Sequence, residues 1–119
     1  MTYQRKRYVI FKIISQDGVS IDRRTLENLL LNMMRNLFGS IRVSNMRLKV
    51  VYYDKDKHIG VVLCMHTYVD EVRLALAALS EINGQKILPY VVKVVGSRLK
   101  AIEFCKGFNH PLLKRLELC

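Results

Sequence analysis

Hydrophobic and polar residues change their spacing several times along this chain, and each change marks a predicted element. Tyr8 to Ile14 is a β-branched and aromatic run that predicts a strand. Gln16-Asp17-Gly18 is turn chemistry. From about Ser20 the spacing turns helical, with Leu26, Leu29, Leu30, Met33 and Leu37 on one stripe. Ser20 or Asp22 is placed to cap that helix, and Gly39 to take the left-handed position just past Phe38. Met46 to Tyr53 alternates: Met46, Leu48, Val50 and Tyr52 share one face, Arg47, Lys49, Val51 and Tyr53 the other. Asp54-Lys55-Asp56-Lys57 is a charged hairpin connection before the strand Ile59 to Met65. Thr67 with Asp70 opens a second helix in a capping-box-like pattern. That helix is predicted to reach Ile82, with Val72, Ala75, Leu79 and Ile82 inward, and to stop at Asn83-Gly84. Pro89 precedes a fourth strand, Tyr90 to Val95, which Gly96-Ser97-Arg98 breaks. Leu99 to Cys105 predicts a short helix ended by Gly107, and Leu112 to Leu118 a further turn or two.

The order β-α-β-β-α-β predicts an α+β, ferredoxin-like (RRM-like) fold. Its antiparallel sheet would have order 4-1-3-2, with both long helices on one face. The first and third strands would then be central. Both carry apolar residues on both sides: Val9, Phe11 and Ile13 against Ile10 and Ile14, and Ile59, Val61, Leu63 and Met65 against Val62 and Cys64. Something must therefore cover the second face. The C-terminal segment, with Leu99, Ile102, Phe104 and Phe108, is the local candidate. Residues 1–119 are expected to be one domain, with a basic arm over 1–6 and a helical extension over about 99–119.

Half of the 119 residues are hydrophobic, which argues against disorder. No apolar run approaches the ~20 residues of a membrane span. The basic N-terminus lacks the apolar stretch of a signal peptide, so an intracellular, cytoplasmic protein is expected. Cys64, Cys105 and Cys119 are odd in number and form no C-x-x-C pair, and His58, His66 and His110 have no ligand-like spacing. Neither a disulfide framework nor a protein-bound metal is expected. The charge is the unusual property: 20 Lys and Arg against 10 Asp and Glu, a net +10. Self-repulsion makes that a cost to folding, so it implies a polyanionic partner. No basic amphipathic helix stands out for a membrane surface, so nucleic acid is the better reading; a basic RNA-binding module such as a ribosomal protein fits the same pattern, and a small-molecule-binding regulatory domain, which would not need the charge, fits it less well.

No Gly-rich phosphate loop or nucleophile elbow appears. Asp54 and Asp56 read as a solvated turn, since each has a lysine beside it. His66 has no partner placed to make it a general base. No catalytic residue is expected. Three basic clusters are the candidate RNA-binding residues. Arg5, Lys6 and Arg7 form the densest, with Tyr3 and Tyr8 able to stack. Arg47 and Lys49 would project from one strand face about 7 Å apart, although charged residues also simply guard edge strands. Arg98 and Lys100 follow the fourth strand. Stacking of bases across the sheet face, as in an RNA-recognition motif, is disfavoured: the third strand keeps Gly60 and has no aromatic.

Arg7-Tyr8-Val9-Ile10-Phe11, Asn36-Leu37-Phe38-Gly39, Leu48 to Tyr53, Ile59 to Cys64, the Val72-to-Leu79 helix and Val94-Val95-Gly96-Ser97 form an ordered set. Together they resemble the small RRM-like subunit family of archaeal and eukaryotic ribonuclease P, called protein component 2 in archaea. The likeness spans about residues 5 to 105. It implies a non-catalytic, RNA-binding subunit of an endoribonuclease that removes the 5′ leader of precursor tRNA. The resemblance implies that the RNA performs the hydrolysis with Mg²⁺ bound to itself and that the protein holds no cofactor. The implied partners are the ribonuclease P RNA, a TIM-barrel-like subunit (component 3) and, indirectly, precursor tRNA. A homodimer within a heterotetramer is left open. The family also carries extra helices on the second sheet face, as the apolar pattern requires.

Overall fold

The computed structural model describes residues 5–15, 21–82 and 84–107. The Gln16 turn, the Ser20 cap, residues 1–4 of the basic arm, Phe108 and the predicted turns after it lie outside the described residues.

Ten elements follow in order: β1 Lys6–Ser15, α1 Arg23–Phe38, α2 Ser40–Met46, β2 Lys49–Asp54, β3 Ile59–Met65, a 3-10 turn His66–Tyr68, α3 Val69–Ala78, β4 Glu81–Ile82, β5 Gln85–Val95 and α4 Arg98–Gly107. The sheet order is β2-β3-β1-β5-β4, with every pairing antiparallel. This is the expected α+β, ferredoxin-like fold. Its order differs from 4-1-3-2 by one added outer strand, the two-residue β4.

β1 and β3 are central, and each buries both faces. Val9, Phe11, Ile13, Val62 and Cys64 pack with Leu26, Leu30 and Met34 of α1 and Val72, Ala75 and Leu76 of α3. Ile10, Ile59 and Val61 pack on the other side against Ala101 and Cys105 of α4. The second face is therefore covered, with the expected Phe104 packed against it and Ala101 and Cys105 buried beside it. Leu99 is 67% exposed, and the two buried α4 side chains are small, so the helix lies close to the sheet. Polar ties hold it there. Lys57 Nζ donates to the Lys106 carbonyl at the end of α4, where a cation suits the negative end of the helix dipole. Lys12 Nζ donates to the Lys57 carbonyl beneath. The Lys93 ammonium sits 5.5 Å from the centre of the Phe104 ring.

Three segments differ from the sequence reading. Residues 40–45, to which the spacing assigns no element, and Met46, expected to begin a strand, form α2, because Val43 and Met46 are a helical i, i+3 pair and both are buried. Gly39 joins the helices at φ 88°, ψ 156°, a positive-φ conformation that favours glycine but lies outside the left-handed helical region, and Arg47 takes the left-handed helical position, at φ 53°. Asp22 stands at the N-cap of α1 without a side-chain capping bond. The second long helix ends at Ala78, not Ile82. Val72, Ala75, Leu79 and Ile82 are nevertheless all buried, because the short β4 hairpin turns Ile82 onto the same core. Finally, β5 begins at Gln85, with Pro89 inside it.

Both sheet edges are guarded. On β2, the Val50 N–H donates to Glu27 Oε2 (2.7 Å) and its carbonyl accepts from Arg23 Nη1 (3.0 Å), so α1 blocks the outer backbone. On β5, Pro89 stands opposite Ile13. The Ile13 N–H points to the other neighbour, donating to the His58 carbonyl. The Pro89 nitrogen therefore faces outward, where a strand lacking an N–H cannot recruit another.

Gly60 lies between Phe11 and Tyr53 in register, whose rings stack with centroids 6.3 Å apart. A Cβ on Gly60 would come within 2.7 Å of Phe11 Cζ and 2.9 Å of the Tyr52 carbonyl oxygen. Gly60→Ala should therefore destabilise the protein by about 1–3 kcal/mol in chemical denaturation. Burial also pushes the Cys64 and Cys105 thiols up to about 11. At pH 8 a thiol-specific reagent should label neither residue in the folded protein, and both after denaturation, read by mass spectrometry of the labelled peptides.

Candidate nucleic-acid interface

The fold sorts the cations into two groups. Arg23 is spent on the β2 edge and Arg42 on an ion pair with Glu71 (2.5 Å) that ties α2 to α3. The Arg42 guanidinium also lies 5.3 Å from the Tyr68 ring centre, and its hydrogen bond holds the Glu71 carboxyl below the usual range. Lys57 and Lys93 fasten α4, Lys12 braces the hairpin that carries Lys57, and burial lowers the Lys12 pKa. These five work within the fold.

The residues nominated from sequence sit differently. Register places Lys49 opposite Leu63, Leu63 opposite Tyr8, and Tyr8 opposite Val95. Opposed side chains share a face, so Lys49, Leu63, Tyr8 and Val95 form one row across the sheet, on the α4 side. Lys6 lies two residues before Tyr8, on the same face. Arg98 opens α4 three residues after Val95, and the Ser97 carbonyl and hydroxyl accept the first helical N–H groups, of Ala101 (3.0 Å) and Lys100 (3.4 Å). Arg7 points to the other face, where its guanidinium donates to the Lys6 carbonyl (3.1 Å) and lies 3.3 Å from where a Gly96 side chain would begin. The first and third sequence clusters thus meet at one end of the sheet, and Lys49 joins them. Lys6, Lys49, Arg98 and Lys100 are exposed, Arg7 half-buried.

The second cluster does not hold together. Arg47 and Lys49 were expected on one strand face. Arg47 instead ends α2 outside the strand and, with Arg35, lines a hollow of about 390 Å³ between α1 and α2. The left-handed backbone at Arg47 breaks the alternation that the expectation assumed. A bulge further on, between Val50 and Tyr52, breaks it again: Val51 and Tyr52 both turn toward α4. Arg35 carries no sequence signal beyond its charge.

Two roles escaped the sequence reading. His66 anchors the N-terminal arm: the Arg5 N–H donates to His66 Nδ1 (3.1 Å), and the His66 N–H to the Arg5 carbonyl (2.7 Å). Asp54 shapes the hairpin by accepting the N–H groups of Asp56 (2.9 Å) and Lys57 (3.2 Å). That is the Asx-type turn its sequence allows. Among the described residues no three His, Cys, Asp or Glu side chains group as a metal site would need, and no helix is long and apolar enough to cross a membrane.

The sequence model of the Rpp14/Pop5 family matches residues 7–106. Ribonuclease P protein component 2 of Methanosarcina mazei is 31% identical over 99 residues, covering 83% of this chain and 82% of that protein. The protein of the same name from Archaeoglobus fulgidus is 33% identical over 103 residues, covering 86% of this chain and 85% of that one. A chain of the cryo-EM structure of yeast ribonuclease MRP superposes with a TM-score of 0.65 at 14% identity, over 99% of this chain and 95% of that one, a likeness of fold. With a family model spanning most of its length and relatives above 30% identity, this chain belongs to the Rpp14/Pop5 family.

Proposed function

We infer that this chain is a protein subunit of ribonuclease P, binding the catalytic RNA and supporting it in removal of the 5′ leader from precursor tRNA. The observation that carries the reading, beside the family match, is the separation of cations. Those tied to Val50, Glu71, Lys106 and Phe104 hold the fold together, while Lys6, Arg7, Lys49, Arg98 and Lys100 gather at one end of the sheet. Folding does not need that concentration, and a polyanion does. The chemistry is assigned to the RNA and its Mg²⁺ ions, and the protein's part is to neutralise and position phosphates.

A protein partner is assigned to the helical side. Ile41 of α2 is 83% exposed, Leu74 of α3 55% and Leu37 of α1 44%. Phe38, Ile41, Arg42 and Tyr68 line a shallow hollow there. The TIM-barrel-like subunit is proposed for this side, which leaves the cationic end to RNA. With both sheet edges guarded, a homodimer within a larger assembly would join through side chains, not through a continuous sheet.

Added with its TIM-barrel-like partner to ribonuclease P RNA at low magnesium, the protein should raise leader cleavage above that of RNA alone; equal rates would remove the reading. Lys6→Glu with Lys49→Glu should weaken RNA binding more than tenfold at low salt and lower the slope of log affinity on log salt by about 1.5–2. The thermal midpoint should not fall, since both side chains are exposed. Unchanged binding would move the RNA surface away from this end of the sheet.

A further inference from the structure

α4 does not cover the whole second face. Its buried residues, Ala101 and Cys105, sit on Ile10, Ile59 and Val61. The next row toward the start of β1, Lys49–Leu63–Tyr8–Val95, forms the rim of that cover. Tyr8 is half-buried and packs against the α4-side core, with Leu63 and Val95 as its half-buried cross-strand neighbours. One side of the ring is thus supported by apolar contacts, and part of it remains accessible.

The charge around this ring has one sign. Lys6 lies on the same strand and face. Lys49 lies two strands away, roughly 10 Å between backbones, within reach of a lysine stem. Arg98 begins the helix just past Val95. β1, β3, β5 and the first turn of α4 contain no acidic residue. An accessible aromatic ring amid cations, with no carboxylate in β1, β3, β5 or the first turn of α4, matches a nucleotide: the base stacks on the ring and lysines or arginines meet the phosphates. An acidic protein segment would satisfy the charges but has no use for the ring.

We propose that the rim around Tyr8 is a stacking subsite for an unpaired RNA nucleotide, with Lys6, Lys49 and Arg98 meeting the flanking phosphates. This rests on the RNA-binding reading above and adds to it a chemical class, single-stranded or bulged RNA, and a positioning ring. It is a one-ring platform. β3 contributes Leu63 where a second aromatic would stand, so the site accepts any base and reads none.

The test uses the full chain and two probes: a short mixed-sequence single-stranded oligoribonucleotide and a perfect RNA duplex of equal length, each fluorescently labelled. Tyr8→Leu keeps apolar bulk against the core. It should weaken single-strand binding roughly fivefold to a hundredfold, leave the salt slope unchanged and hardly alter duplex binding. Tyr8→Phe should stay within about twofold of the parent, because the ring remains. In the unaltered chain, a 4-thiouridine single strand should photocrosslink at Tyr8, which keeps the idea testable if the leucine variant misfolds. Single-strand binding unchanged by Tyr8→Leu, an equal loss on the duplex, or crosslinks confined to other residues would overturn the subsite alone. So would displacement of the RNA by polyglutamate with the same Tyr8 dependence, which would make the rim a protein surface. A parent chain that bound neither probe would overturn the RNA-binding reading as well.

Discussion

The constraint on which this molecule depends is that its two central strands are apolar on both faces. A sheet of this kind cannot leave one side to water, and α1 and α3 can cover only one. The second cover is α4, a ten-residue helix. Because it presents Ala101 and Cys105, it lies close to the sheet and shields Ile10, Ile59 and Val61. Because it is short, it leaves a rim. The same geometry thus completes the core and decides which part of the sheet can meet a partner.

The excess of positive charge has to be understood against that cover. Lys57 and Lys93 fasten α4 through the Lys106 carbonyl and the Phe104 ring, and Lys12 braces the hairpin beneath through the Lys57 carbonyl. Arg23 and Glu27 close the β2 edge at a single residue, Val50, and Pro89 closes the β5 edge. These devices consume cations and backbone groups that would otherwise look available. What they leave is a cationic end where β1 starts, β5 ends and α4 begins. Exposed apolar side chains lie on the helices covering the first face, at Leu37, Ile41 and Leu74, and also at Ile14 and Leu88 on the sheet and at Leu99 beside the cationic end.

Much of the fold was legible in the chain because period and punctuation agreed. The stripe Leu26, Leu30 and the run Ile59 to Met65 could hardly be anything but a helix and a two-faced strand. The apolar second face foretold a cover from the C-terminal segment. Where local signals were ambiguous, packing decided. Val43 and Met46 fit either a strand approach or a helical turn, and burial of both against the core made the helix. Ile82 fits the end of a helix or a hairpin, and either would bury it. The bulges at Val50/Tyr52 and Ile10/Phe11 leave no mark in the pattern, since they are adjustments between strands.

The sequence by itself determined the fold class, the central strands, the need for a second cover and the polyanionic character of the partner. These follow from residue type and spacing alone. Only the tertiary structure separated Arg47 from Lys49, brought Lys49 into line with Tyr8, and joined the first and third basic clusters. Those relations depend on strand register and on one left-handed residue. Register is fixed by contacts between segments far apart in the chain, which no local pattern encodes.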